Sequence, residues 1–152
     1  MARILRARDP NVTIILLVPY PVTMELQAYY NKILKMVELD EARDRIKFMI
    51  PENYVKFSKH MSMAQQVMYS PMCLNKIQEL IINKNCYIVP GKVDKYDIKL
   101  SVLLSVPILA GDPAKVGHFE TKSGCKEIFK KAKIPMAIGS KALIEDEDEL
   151  FT

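Results

Sequence analysis

Residues 12–19 read VTIILLVP, a continuous apolar run rich in β-branched side chains and stopped by a proline. A run of this kind has no polar face to offer water, so it predicts a strand buried on both sides. The same signature recurs as RIKFMIP (45–51), CYIVPG (86–91), VPILAG (106–111) and IPMAIG (134–139). Helical periodicity fills most of the gaps. Thr23 is a good N-cap for a helix over 24–38, with Leu26, Tyr30, Ile33, Leu34 and Val37 on one stripe. Ser70-Pro71 reads as N-cap and first helical residue of a helix over 71–84. Asp94 caps a helix over 94–105 with Leu100, Leu103 and Leu104 facing inward, and a further helix covers 119–132. The stretch 52–69, rich in Met and aromatics, fits either one helix or a loop with a helical turn. The alternation predicts an α/β fold: a Rossmann-like three-layer domain with a mostly parallel sheet of about five strands and right-handed crossovers.

In such a fold, ligands sit beyond the carboxyl ends of the strands. Those ends are Val18-Pro19-Tyr20-Pro21, Pro51-Glu52-Asn53, Pro90-Gly91-Lys92 and Ala110-Gly111-Asp112. No glycine-rich dinucleotide fingerprint or P-loop follows any strand. After the first one, two prolines remove backbone donors that a phosphate cradle requires. His60 reads as structural, and His118 as a helix-start or loop residue. Asp97, Asp112 and Glu120 read as caps or surface acids. Met61, Met63, Met68 and Met72, with Tyr54, Phe57 and Tyr69, read as core before partner surface. Ile77-Gln78 begins an "IQ" without the arginine and glycine that a calmodulin-binding motif requires. Lys122, Lys126, Lys130, Lys131 and Lys133 make the 119–133 helix basic enough to attract calmodulin in principle. Its short apolar face is expected to lie against the sheet instead.

With 152 residues, the length suggests one domain. It is expected over 1–140, followed by an acidic tail, 141–152, at which a further domain would begin. The tail holds Glu145, Asp146, Glu147, Asp148 and Glu149, which point around a helix and do not converge on one metal. The net charge of +4 lacks the broad basic stripe of a nucleic-acid binder, so no nucleic-acid partner is expected. Cys73, Cys86 and Cys125 match no zinc spacing and fit a reducing compartment. No secretory signal or membrane-length apolar run is read, so a cytoplasmic location without membrane contact is expected.

The segment from Tyr96 to Ser140, YDIKLSVLLSVPILAGDPAKVGHFETKSGCKEIFKKAKIPMAIGS, resembles the junction of ATP-grasp proteins. There a Rossmann-like pre-ATP-grasp domain ends in a helix, a strand and a loop, and a lysine opens an amphipathic helix before an Ile-Pro segment. The matching pieces are VPILAGDP (106–113), Thr121-Lys122 and KIPMAIGS (133–140). Thr121 replaces the family's usual Asp, and Lys133 its usual glycine. The resemblance implies a pre-ATP-grasp domain whose Lys122 reaches a nucleotide, with ATP and Mg²⁺ as cofactors of the full-length parent only. The grasp lobes would lie beyond Thr152, so no catalysis is expected of this chain alone. The whole chain, VPYPVTMELQAYYNKIL most of all, also resembles a testis-associated family of IQ-motif proteins with an ATP-grasp-like region. This implies a regulatory or scaffold module in spermatogenesis or the sperm flagellum, with protein partners and with calmodulin bound through parts outside this chain. The alternatives are the substrate- or nucleotide-binding half of an ATP-dependent carboxylate–amine ligase, and a self-contained flavodoxin-like domain.

Overall fold

The computed structural model describes residues 2–136 and 138. It is about 53% helical. A 3₁₀ segment, Ala2–Arg8, leads into strand β1 (Ile14–Leu17) and helix α1 (Met24–Met36). A second 3₁₀ segment, Asp40–Arg45, precedes strand β2 (Ile46–Met49). A short turn, Tyr54–Lys56, is followed by α2 (Met63–Met68), α3 (Pro71–Ile81), α4 (Lys95–Leu104), α5 (Pro113–Phe119) and α6 (Lys122–Lys131).

The two strands are parallel, with Ile14 opposite Ile46 and Leu17 opposite Met49. Helix α1 makes the crossover, and its first turn is held by Thr23 Oγ1, which accepts from the Leu26 N–H at 3.2 Å. Side chains alternate across the pair. Leu16 and Ile46 join Ile4, Ala7, Leu34 and Ala42 on the side covered by α1 and the 3₁₀ segments. Leu17 and Met49 join Ala64, Val67, Cys73, Ile77 and Leu100 on the side covered by α2, α3 and α4. The core is therefore two apolar clusters separated by one strand pair.

The five-stranded Rossmann-like sheet expected from the apolar runs is not formed: β1 and β2 are the only strands among the described residues. The third and fourth runs touch at one isolated parallel bridge, Ile88 to Ile108. Its two bonds are Ile88 N–H to the Pro107 carbonyl and Leu109 N–H to the Ile88 carbonyl, each 2.8 Å. Extending this ladder forward requires an N–H at residue 90, and extending it backward requires one at residue 107. Both are prolines, which carry no donor. The Val89 and Pro90 carbonyls are taken by the Arg3 guanidinium, each at 3.0 Å. The β1–β2 ladder stops in the same way. Its last bond runs from the Val18 N–H to the Met49 carbonyl, and the next donor would be Pro51. The fifth run also holds a proline, Pro135; Ile134, Pro135 and Met136 join no ladder, and the rest of the run except Ile138 lies outside the described residues, as does the acidic tail.

Most predicted helices form close to their expected bounds. The 119–132 helix forms as α6, and α5 before it was not predicted; the apolar side of α6 is not laid on a sheet. Ile128 is 40% exposed and Phe129 42%. The 52–69 stretch contains the Tyr54–Lys56 turn and α2, whose Ala64 and Val67 enter the core with Met63 and Met68 packed around them. Tyr69 and Met72 remain exposed.

Candidate functional site

The four predicted strand ends can be followed one at a time. Beyond β1, Pro19 and Pro21 flank an exposed Tyr20, so two of three backbone positions offer no donor. At residues 90–92 the Pro90 carbonyl is held by Arg3, and Lys92 pairs with Glu120 at 3.7 Å. At residues 110–112, Asp112 caps α5, its Oδ1 accepting from the Ala114 N–H at 3.0 Å.

The β2 end has the most chemistry. Glu52 follows Pro51, and its carboxylate reaches the first turn of α3. Oε1 accepts from the Met72 N–H at 2.9 Å and Oε2 from the Cys73 N–H at 3.1 Å. A helix N-terminus is the natural seat for an anion, and here the chain's own carboxylate takes it. Burial alone would raise the Glu52 pKa. Its own N–H, those of Met72 and Cys73, and the Lys76 charge outweigh that and lower it. Ser70, the nominal N-cap, is displaced from the role: its hydroxyl is buried without a hydrogen-bond partner among the described residues. Cys73 and Lys76 line the same shallow cleft. The Cys73 thiol is pushed up by burial and by the Glu52 charge, against a weaker pull from Lys76. A buried thiol held protonated is a packing group and not a nucleophile.

Because the folded-state pKa of Glu52 lies below its ordinary value, its contribution is present above that ordinary pKa. It is lost as pH falls through the lowered one. Replacing Glu52 by Gln is expected to cost about 1 kcal/mol at neutral pH, the usual size of a cap. The difference between parent and variant should vanish in acid, which urea denaturation from neutral pH down to pH 3 will check.

Other site residues are dispersed. Asp97 is buried in a capping box: its carboxylate accepts from the Asp94 N–H at 2.8 Å, and Asp94 accepts from the Asp97 N–H at 3.0 Å. Its pKa is raised, first by burial and then by the Asp94 charge, although the Asp94 N–H pulls the other way. His118 Nε2 lies 3.0 Å from Glu127 Oε2, and Lys131 Nζ lies 2.6 Å from Glu127 Oε1. These two bonds, His118 first, take the Glu127 pKa down to about 2. His60 is exposed, with its backbone N–H donating to Ser58 Oγ.

Lys122 opens α6 as an exposed residue with no hydrogen bond or ion pair among the described residues. Thr121 caps that helix, accepting from the Gly124 N–H at 3.0 Å, and so does the work an Asp would do there. Lys133 holds the left-handed φ of 55° that favours glycine, at a cost of about 1 kcal/mol. Ile77 of the "IQ" pair is only 5% exposed, a core residue of α3. Among the described residues no three His, Cys, Asp or Glu side chains come together as metal ligands, and no helix is long and apolar enough to cross a membrane. Sequence reading missed the Glu52 cap, because 20 residues separate the carboxylate from the helix it closes.

No family model matches the chain, and no solved structure does. The chain is similar to the IQ motif-containing protein H of Danio rerio, with 31% identity over 150 residues. The match covers 91% of this chain but only 14% of that protein, so the chain spans about one seventh of the relative.

Proposed function

Starting from its likeness to an IQ motif-containing protein, we propose that this chain is a non-catalytic regulatory or scaffold module of a longer protein. Calmodulin-type partners engage that protein through segments outside this one, because Ile77-Gln78 is the only trace of the motif here and Ile77 is packed in the core. The reading extends to a cytoplasmic protein of spermatogenesis, at work in the sperm flagellum.

One observation carries the non-catalytic part. The α3 N-terminus at the β2 end, where a phosphate would bind, is occupied by the Glu52 carboxylate at 2.9 and 3.1 Å. A phosphate there would have to displace a tethered carboxylate and tolerate its charge. The prolines after β1 remove the other candidate cradle.

The second reading, a nucleotide- or substrate-binding part of an ATP-dependent carboxylate–amine ligase, draws on Lys122. An ammonium at a helix start can neutralise phosphate. ATP and Mg²⁺ would then be held mainly by lobes outside this chain. Calorimetric titration of the chain with ATP–Mg²⁺ separates the two. No saturable heat is expected. Binding that disappears in Lys122→Ala would overturn the scaffold reading in favour of the ligase.

A further inference from the structure

A two-stranded sheet leaves both of its edges open, and the outer edge of β2 is bordered by two clefts. In the β1–β2 ladder Leu17 lies opposite Met49, and the Val18 N–H meets the Met49 carbonyl. Lys47 and Met49 are therefore the residues of β2 whose backbone groups turn toward β1. Ile46, Phe48 and Ile50 turn theirs the other way. The Ile46 N–H is taken by the Arg43 carbonyl. The Ile46 carbonyl, both backbone groups of Phe48 and the Ile50 N–H have no hydrogen-bond partner among the described residues. A row of such groups is a template for a further strand.

Phe48 borders both clefts. On the α1 side, Tyr30, Leu34 and Phe48 form an apolar floor beside Gln27, Asn31 and Arg43. The Gln27 and Asn31 carboxamides have no partner among the described residues. On the α3 side, Met49, Ile50 and Met72 lie with Lys76. Volumes of about 250 and 230 Å³ fall below the range of small-molecule pockets and suit one side chain each. A strand laid along β2 would send alternate side chains to opposite faces and so fill the two clefts in turn.

Charge selects the occupant. Lys47 is exposed on the same face as Met49, with no ion pair among the described residues, and Lys76 is exposed at the cleft there. Glu52, held by the α3 N–H groups, offsets them only in part, and Arg43 is paired with Asp40. A second copy added edge to edge would set lysines against lysines, which is how edge strands repel their own kind. We propose that the outer edge of β2 receives an extended peptide segment of a partner protein, with apolar side chains in the α1-side cleft and acidic ones facing Lys47 and Lys76. The contact takes about five residues over about 13 Å, and Pro51 closes the edge. The edge is available whether the chain is a scaffold or part of a ligase.

The probe is the capped peptide acetyl-Thr-Val-Glu-Phe-Glu-Val-Thr-amide, in which apolar and acidic side chains alternate. Titrated into the full chain, it should bind saturably with a Kd of about 100 μM. At about ten times that concentration it should slow hydrogen exchange of the Phe48 and Ile50 amides about tenfold. The Lys47 and Met49 amides, already bonded to β1, should not change. Methylating the peptide nitrogens that face the edge should abolish binding, whereas methylating the alternate set should leave it nearly unchanged. Lys47→Glu with Lys76→Glu, both at exposed positions, should weaken binding about tenfold, and a peptide with Lys in place of Glu should recover the loss. Absence of saturable binding would overturn the proposal, as would equal effects of the two methylation patterns. Slower exchange at Phe48 and Ile50 with rising chain concentration and no peptide would also overturn it, by assigning the edge to a second copy.

Discussion

Leu100→Ala is expected to lower stability by about 3 kcal/mol, the usual range for truncating a well-packed leucine. That is a large part of the margin of a small domain. Leu100 is 2% exposed and packs within the cluster of Ala64, Val67, Cys73 and Ile77. It is the only fully buried apolar side chain of α4, whose Ile98, Val102 and Leu103 face outward. Truncation therefore removes the one fully buried apolar contact by which α4 is seated in the cluster it shares with α2 and α3. Urea denaturation should show the midpoint falling with an unchanged slope, the mark of a loss of stability without a change in the surface exposed. Val102→Ala is the paired control. At 73% exposed, it should stay within about 0.5 kcal/mol of the parent. A costly Val102→Ala beside a mild Leu100→Ala would mean that α4 is rotated about its axis.

Sequence reading worked where the signal is local and failed where it is not. The helices α1, α3, α4 and α6 and the strands β1 and β2 were legible, because hydrophobic periodicity and proline stops are local signals. Thr23, Asp94 and Asp112 were legible as caps for the same reason. The sheet was not, although the residues that limit it were in plain view. Pro90 and Pro107 stand at the two positions where the Ile88–Ile108 bridge would have to grow, but their register becomes visible only once 88 is placed opposite 108. Read singly, each proline sits inside an apolar run and is compatible with a strand; read as a pair, they leave room for one bridge. Leu103 was expected inside with Leu100 and Leu104. Leu100 and Leu104 share a face at i, i+4, and both contribute to the core, but Leu103 lies a sixth of a turn round and faces outward. The candidate site was the least legible part. Lys122 was named from a motif and stands exposed where a helix starts. Glu52 was named only as part of a strand end; its role in closing the α3 N-terminus went unread because no spacing rule connects residues 52 and 72. Long-range caps of this kind follow from tertiary packing alone.

Gly124→Val is expected to cost about 3 kcal/mol or more, and to concentrate the damage in one corner of the molecule. Gly124 is the buried residue of α6. A Cβ placed there would lie 2.2 Å from the His118 carbonyl oxygen and 2.9 Å from Phe119 Cα, both backbone atoms that no rotamer change can move aside. Two opposed effects decide the sign of the milder Gly124→Ala. In a helix interior, Ala is favoured over Gly by about 1 kcal/mol, whereas forcing apart packed backbone typically costs 1–3 kcal/mol and occasionally more. With contact at 2.2 Å the second effect wins, so Gly124→Ala should lose about 1–2 kcal/mol and Gly124→Val more. Because α5 and α6 pack chiefly on each other, hydrogen exchange should quicken across residues 113–131 while amides of α3 and α4 keep their protection. Separation of the two helices also parts His118 from Glu127, now 3.0 Å apart. The Glu127 carboxyl, held at about 2 first by His118 and then by Lys131, should climb back toward the ordinary carboxylate range, which an NMR titration will read directly. A Gly124→Ala variant more stable than the parent, with the Glu127 titration unmoved, would show that helix propensity outweighs contact and that α5 and α6 do not approach as closely as the geometry requires.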